Sequence, residues 1–171
     1  MDWWVIVLRI VHVGAAMLWF GGAILSAFFL DPTERALGRQ AQPFMEHLLT
    51  RRKFGVYFPI VALLTILAGA ALYWHASGAL QAAWIGSPTG LAFTLGGLAA
   101  IAAFVSGMAL IVPAVSAQTA VGAELAASGA EPTAAQRERL VGADRRMRLA
   151  TWIDMPLLVF AALTMAVGRY V

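Results

Sequence analysis

The chain has no cysteine, a single lysine, and charged residues at only 12% of its 171 positions. Without cysteine there are no disulfides, no thiolate catalysis and no cysteine-ligated iron–sulfur cluster, although the redox compartment stays open. Scarce charge, 61% hydrophobic residues and a mean hydropathy of +0.78 exclude a soluble domain of this size. Its interior would be too small to hide that much apolar surface, so lipid must cover part of it. One stretch, 75–89, carries no charge at all.

Four apolar stretches remain, about 5–30, 54–74, 90–112 and 149–167. Each meets the roughly 20 residues that a helix needs to cross a hydrocarbon core. Each is helical, because an unpaired backbone group in lipid costs several kcal/mol. The expectation is a single domain, all-α: an integral membrane antiparallel four-helix bundle with cytoplasmic helical extensions. The first stretch opens Asp2-Trp3-Trp4 with no basic n-region and has a long apolar run, so a cleaved signal peptide is not expected.

The pI near 10 does not indicate nucleic acid, because the cations fall in two places. Arg35, Arg39, Arg51, Arg52 and Lys53 lie between spans one and two; Arg137, Arg139, Arg145, Arg146 and Arg148 lie between spans three and four. The positive-inside rule therefore predicts a multi-pass protein of a bacterial-type inner membrane, both basic loops cytoplasmic and both termini outside. Trp3, Trp4, Tyr73, Trp74, Trp84 and Tyr170 would form the outer aromatic belt.

Local signals fill in the connections. Asp31, Pro32 and Glu34 have the spacing of a capping box, predicting a short helix that breaks at Pro43. From Phe44 to Phe58 a helix is expected to run directly into span two. The segment 113–148 reads as an antiparallel hairpin with a turn at 128–132 and a second capping box, Thr133 with Gln136. Small residues four apart, Gly22/Ser26, Thr65/Gly69 and Ala99/Ala103/Gly107, predict close helix packing.

Ionisable groups inside spans are costly and usually functional, which singles out His12 and Asp154. His12 shares a helix face with Ala15, Ala16, Trp19, Gly22, Ala23 and Ser26: small residues beside one imidazole and one indole. That face suits a macrocycle held through its iron by an axial histidine, here heme b. A neutral imidazole hydrogen-bonded to a neighbouring helix and a proton relay are the alternatives. A second axial ligand would come from His75, at the end of span two, or Met165, in span four. Met17 lies on the wrong face, and His47 reads as a surface residue. Trp19 would line the pocket. Arg9 would either snorkel to headgroups or neutralise a propionate. Asp154 is expected to pair with Arg51, Arg52 or Lys53, with proton transfer as its functional alternative.

A histidine in the first span, a tryptophan seven later and glycine close behind resemble the HemJ-type membrane protoporphyrinogen oxidases and the CopD-like copper-resistance proteins. Arg51-Arg52 before span two, Pro59 within it and Asp154-Met155-Pro156 add to the likeness. The resemblance implies that His12 is an axial heme ligand and that the chain handles electrons or porphyrin, as a heme-dependent oxidoreductase. The oxidase pattern has a basic aromatic cluster where this chain reads Ala27-Phe28-Phe29-Leu30-Asp31, and a lysine early in span three where this chain has no charge. His12 is therefore the one position carried over. Other classes remain open: a non-catalytic accessory or assembly subunit of a larger membrane complex, or copper or other metal transport, with a membrane redox partner or a homodimer as partners. Scattered methionines argue against a soft Cu(I) site.

Overall fold

The computed structural model describes residues 2–171, the Arg39 side chain excepted, so that arginine's share in the basic loop lies outside the described residues. Every regular element is helical. Helix α1 (Trp3–Leu25) passes through a wide π-helical turn, Ser26–Leu30, into α2 (Asp31–Leu37). Short α3 (Gln42–Glu46) precedes α4 (Phe54–Ala76). A one-turn α5 (Ala82–Ile85) bridges to α6 (Pro88–Ser128), which folds back as α7 (Ala134–Val167). Among the described residues, four helices are long and apolar enough to cross a membrane. The chain is a multi-pass, all-α membrane bundle.

Both termini share one end. The Thr89 hydroxyl donates to the Val171 carbonyl at 2.8 Å, and Asp2 lies 4.0 Å from His75 Nε2. The basic segments meet at the opposite end, where Arg35 pairs with Asp144 at 3.5 Å. Below, these are the terminal end and the basic end. The extensive pairings are α1 with α4 and α6 with α7; α4 joins the two pairs, and α1 touches α7 only lightly.

The outward faces of α1 and α4 carry exposed Ile10, Met17, Leu18, Leu63 and Leu67, as expected of surface turned to lipid. The inward faces are small. Ala62, Ala99, Ala103 and Ala161 surround Trp19, which is only 8% exposed at the centre of the core. In lipid the hydrophobic effect does not drive helices together, so close backbone approach and interhelical hydrogen bonds do. The small-residue rows behave accordingly: a Cβ on Gly22 would stand 3.1 Å from the Phe58 ring, and one on Gly96 would stand 2.6 Å from Thr164 Oγ1. Two polar clasps add to this, Tyr57 hydroxyl to the Leu18 carbonyl at 3.3 Å and Tyr73 hydroxyl with Thr94 Oγ1 at 2.5 Å.

At the terminal end Ser87 caps α6 by accepting from the Gly90 amide, with Pro88 in the first turn. Gly90 is obligatory there, since any Cβ would fall 1.9 Å from the Trp84 carbonyl oxygen. Helix α6 has 41 residues and α7 has 34. At 1.5 Å per residue they are about 60 Å and 50 Å long, against a hydrocarbon core of about 30 Å. Their basic-end halves therefore project beyond the membrane as a hairpin. Gly129, at φ +62°, ends α6, and Thr133 with Gln136 forms the expected reciprocal capping box. Ala114, Val121 and Ala150 are fully shut between the two helices.

The first connection departs from expectation in three respects. Asp31 is not a cap, because Leu30 is already helical and the π turn carries the chain straight into α2. The break falls at Gly38, φ +53°, and Pro43 opens α3 instead of ending a helix, since a proline fits a first turn. No continuous helix links Phe44 to Phe58. Lys53 takes a left-handed conformation, φ +52°, and α4 starts anew after it.

Candidate functional site

His12 faces α4. Its Nδ1 lies 2.8 Å from the Thr65 carbonyl oxygen. A carbonyl only accepts, so Nδ1 carries a proton, and in the neutral ring Nε2 is the nitrogen with the lone pair. The Thr65 side chain turns back along its own helix, donating to the Val61 carbonyl at 2.8 Å. A Cβ on Gly69 would stand 2.8 Å from His12 Cε1 and 2.9 Å from Nδ1. The imidazole is thus seated against bare backbone, with Thr65 and Gly69 one turn apart. Among the described residues no hydrogen-bond partner of Nε2 is found.

This geometry combines two of the roles considered for His12. An imidazole bridging two helices is present. A ring whose other nitrogen donates to a backbone carbonyl also matches how metal-ligating histidines are commonly oriented. Trp19, two turns along the same face, fills the centre of the bundle. Arg9, one turn toward the terminal end, is exposed and makes no ion pair among the described residues.

His75 is six residues past Gly69 and therefore about 9 Å further along α4. It is exposed, with its ring edge against Trp4 at 4.7 Å. Met165 packs on the other helix pair, where its Cγ would lie 3.1 Å from a Cβ on Gly96. No hydrogen bond or ion pair joins His12 to His75 among the described residues. Met17 points outward at 68% exposure, and His47 is exposed, as expected. No group of three or more His, Cys, Asp or Glu residues arranged to hold a metal occurs among the described residues.

Asp154 departs from its expected pairing. It is 8% exposed, faces Gly107 of α6, and forms no salt bridge among the described residues. Arg51, Arg52 and Lys53 are exposed where α4 begins. Helix α7 packs chiefly on α6, and the carboxylate faces that helix. Opposite charges in the sequence do not establish a shared interface.

Two cavities open at the basic end. One, about 340 Å³, is lined by Phe29, Leu37, Phe44 and Met45 around the α2–α3 connection. The other, about 200 Å³, is lined by Ala27, Asp31, Arg35, Arg148, Thr151 and Trp152. Asp144 bridges Arg35 and Arg148 beside it. Neither cavity touches His12.

No protein-family model, no curated protein and no solved structure matches this chain.

Proposed function

We propose that the chain is a membrane-embedded heme b-binding protein that handles electrons or porphyrin redox chemistry, with His12 Nε2 as the axial ligand. The observation that carries the reading is the Nδ1 hydrogen bond to the Thr65 carbonyl. It fixes the tautomer, holds the ring, and leaves the lone pair that iron requires.

What supports a heme held by one protein ligand is the seated His12 imidazole. His75 rests against Trp4 and Met165 lies beside Gly96, so neither is assigned here as a second ligand. A bound heme would supply an iron able to change its charge by one electron. The chain's own contributions are distinct: Thr65 orients the imidazole, Gly69 makes room for it, and Trp19 closes the bundle centre against water. Arg9 is the cation available to a propionate. In this reading the basic end is cytoplasmic and both termini lie outside an inner membrane.

The test is a reduced-minus-oxidised spectrum of the purified protein with heme supplied during expression. A b-type heme signature that disappears in His12→Ala supports the reading, and a colourless wild type rejects it.

A second reading has an observation in its favour. Trp19 fills the core and neither cavity reaches His12, as suits a non-catalytic subunit whose imidazole only ties α1 to α4. That reading predicts co-purification with a larger membrane complex, retained by His12→Ala.

A further inference from the structure

Three buried polar atoms have no hydrogen-bond partner among the described residues: Asp154 Oδ1, Ser106 Oγ and Ser26 Oγ. They come from α7, from α6 and from the start of the wide turn after α1. A Cβ on Gly107, the residue after Ser106, would lie 3.6 Å from Asp154 Oδ2, so the carboxyl abuts this stretch of α6. Ser26 belongs at the same height. Ala27 and Thr151 line one cavity; α1 and α7 run antiparallel; Ser26 precedes Ala27 and Asp154 follows Thr151 by one turn. The height difference is about 3 Å at 1.5 Å per residue.

An ionised carboxylate out of water is costly unless a positive charge and further ligands compensate it. Among the described residues no cationic side chain does so: Arg148, six residues earlier, is engaged by Asp144. The π turn Ser26–Leu30 lies at this end of the bundle, and π turns often mark functional positions.

We propose that Asp154, Ser106 and Ser26 form an intramembrane binding site for a small hard monovalent cation of the sodium class, entered from the basic-end cavity. The donors are all oxygen, which suits a hard ion and not copper. One carboxylate balances one positive charge; a divalent ion would leave a net charge in apolar surroundings. The cavity lined by Asp31 and Thr151 lies one helical turn from Asp154, on the same face of α7, and supplies the way in. This site is separate from His12 and does not depend on heme.

The experiment measures thermal unfolding of the full chain in lipid nanodiscs at fixed pH and ionic strength, with sodium chloride replacing choline chloride. The wild-type Tm is expected to rise by about 5 °C once sodium is a hundredfold above half-saturation. Asp154→Asn, which retains the shape of a neutral carboxyl, is expected to lose the sodium response. Ser106→Ala is expected to keep the response with half-saturation raised at least about fivefold. Should Asp154→Asn not fold, Ser106→Ala and Ser26→Ala decide the matter, together with sodium-23 line broadening by the wild type. A wild type indifferent to sodium, or variants responding identically to it, overturns the proposal; a Tm raised equally at every sodium level by Asp154→Asn identifies a protonated carboxyl instead. The heme spectrum is read separately, so either result stands without the other.

Discussion

At position 69 a methyl group would sit 2.8 Å from an imidazole carbon that backs onto α1 and has no flexible end to withdraw. Gly69→Ala is therefore expected to destabilise by about 1–3 kcal/mol, the range for overfilling a well-packed interface. His12→Ala loses one interhelical hydrogen bond and leaves a gap. In the double variant the new methyl enters that gap, so thermal or denaturant unfolding of the four proteins is expected to show strong non-additivity. Additive losses would mean that the two residues do not share a contact. His12 was legible in the sequence because an ionisable group in an apolar run is conspicuous. Its partner was not, because Thr65 contributes a backbone carbonyl, and carbonyls leave no mark on side-chain patterns. Asp154 shows the converse: its cost was legible, but the choice among Arg51, Arg52 and Lys53 rested on charge alone, and the carboxylate faces α6.

The breaks between helices follow backbone conformation more closely than hydrophobic pattern. After α4, Gly78, Ala79 and Leu80 all take left-handed φ values of 59°, 62° and 66°. Only the first is free of the Cβ penalty, which costs about 1–2 kcal/mol per residue. Ser77 holds the turn, donating to the Trp74 carbonyl and accepting from the Leu80 amide at 2.9 Å. Leu80→Gly is expected to stabilise by about 0.5–1 kcal/mol, measured by thermal unfolding, because the left-handed strain exceeds the entropy that glycine adds to the unfolded chain. Such positions escape a sequence reading when the residue is alanine, leucine or, as at Lys53, lysine. Caps are easier to see: Thr133 with Gln136 was legible because both halves of the box are side chains. At the hairpin tip Gln136 and Arg139 hold the exposed Glu124 carboxyl below its ordinary value of 4.5, the Gln136 amide contributing most. A lowered acid stabilises the folded form above its unfolded value. The clasp is thus intact at neutral pH, begins to fade below pH 4.5 and is lost once the pH falls through the lowered value. Amide protection at the tip, measured against the unstructured exchange rate at each pH, is expected to fall over that interval in the wild type and to stay flat in Glu124→Gln.

Four spans and a shared end for both termini were legible because apolar length and the grouping of cations are properties of the whole chain. The orientation across the bilayer is an expectation with a direct check, helped by the absence of cysteine. Ser128→Cys, at the hairpin tip, and Ala83→Cys, between α4 and α6, each give a single reactive position. An impermeant thiol reagent is expected to label Ala83→Cys in intact cells and Ser128→Cys only after lysis; the reverse pattern would invert the topology. What no composition reveals is how evenly the helices share their walls. With α1 joined firmly to α4 and α6 to α7, α4 linking the two pairs, and α1 meeting α7 only lightly, the molecule is a strip of four staves rolled almost shut. A barrel with one loose joint opens along that joint. Harsh detergent should part the first stave from the last while the other three boundaries stay closed, and an acyl chain or a neighbouring helix would find its easiest way inward there.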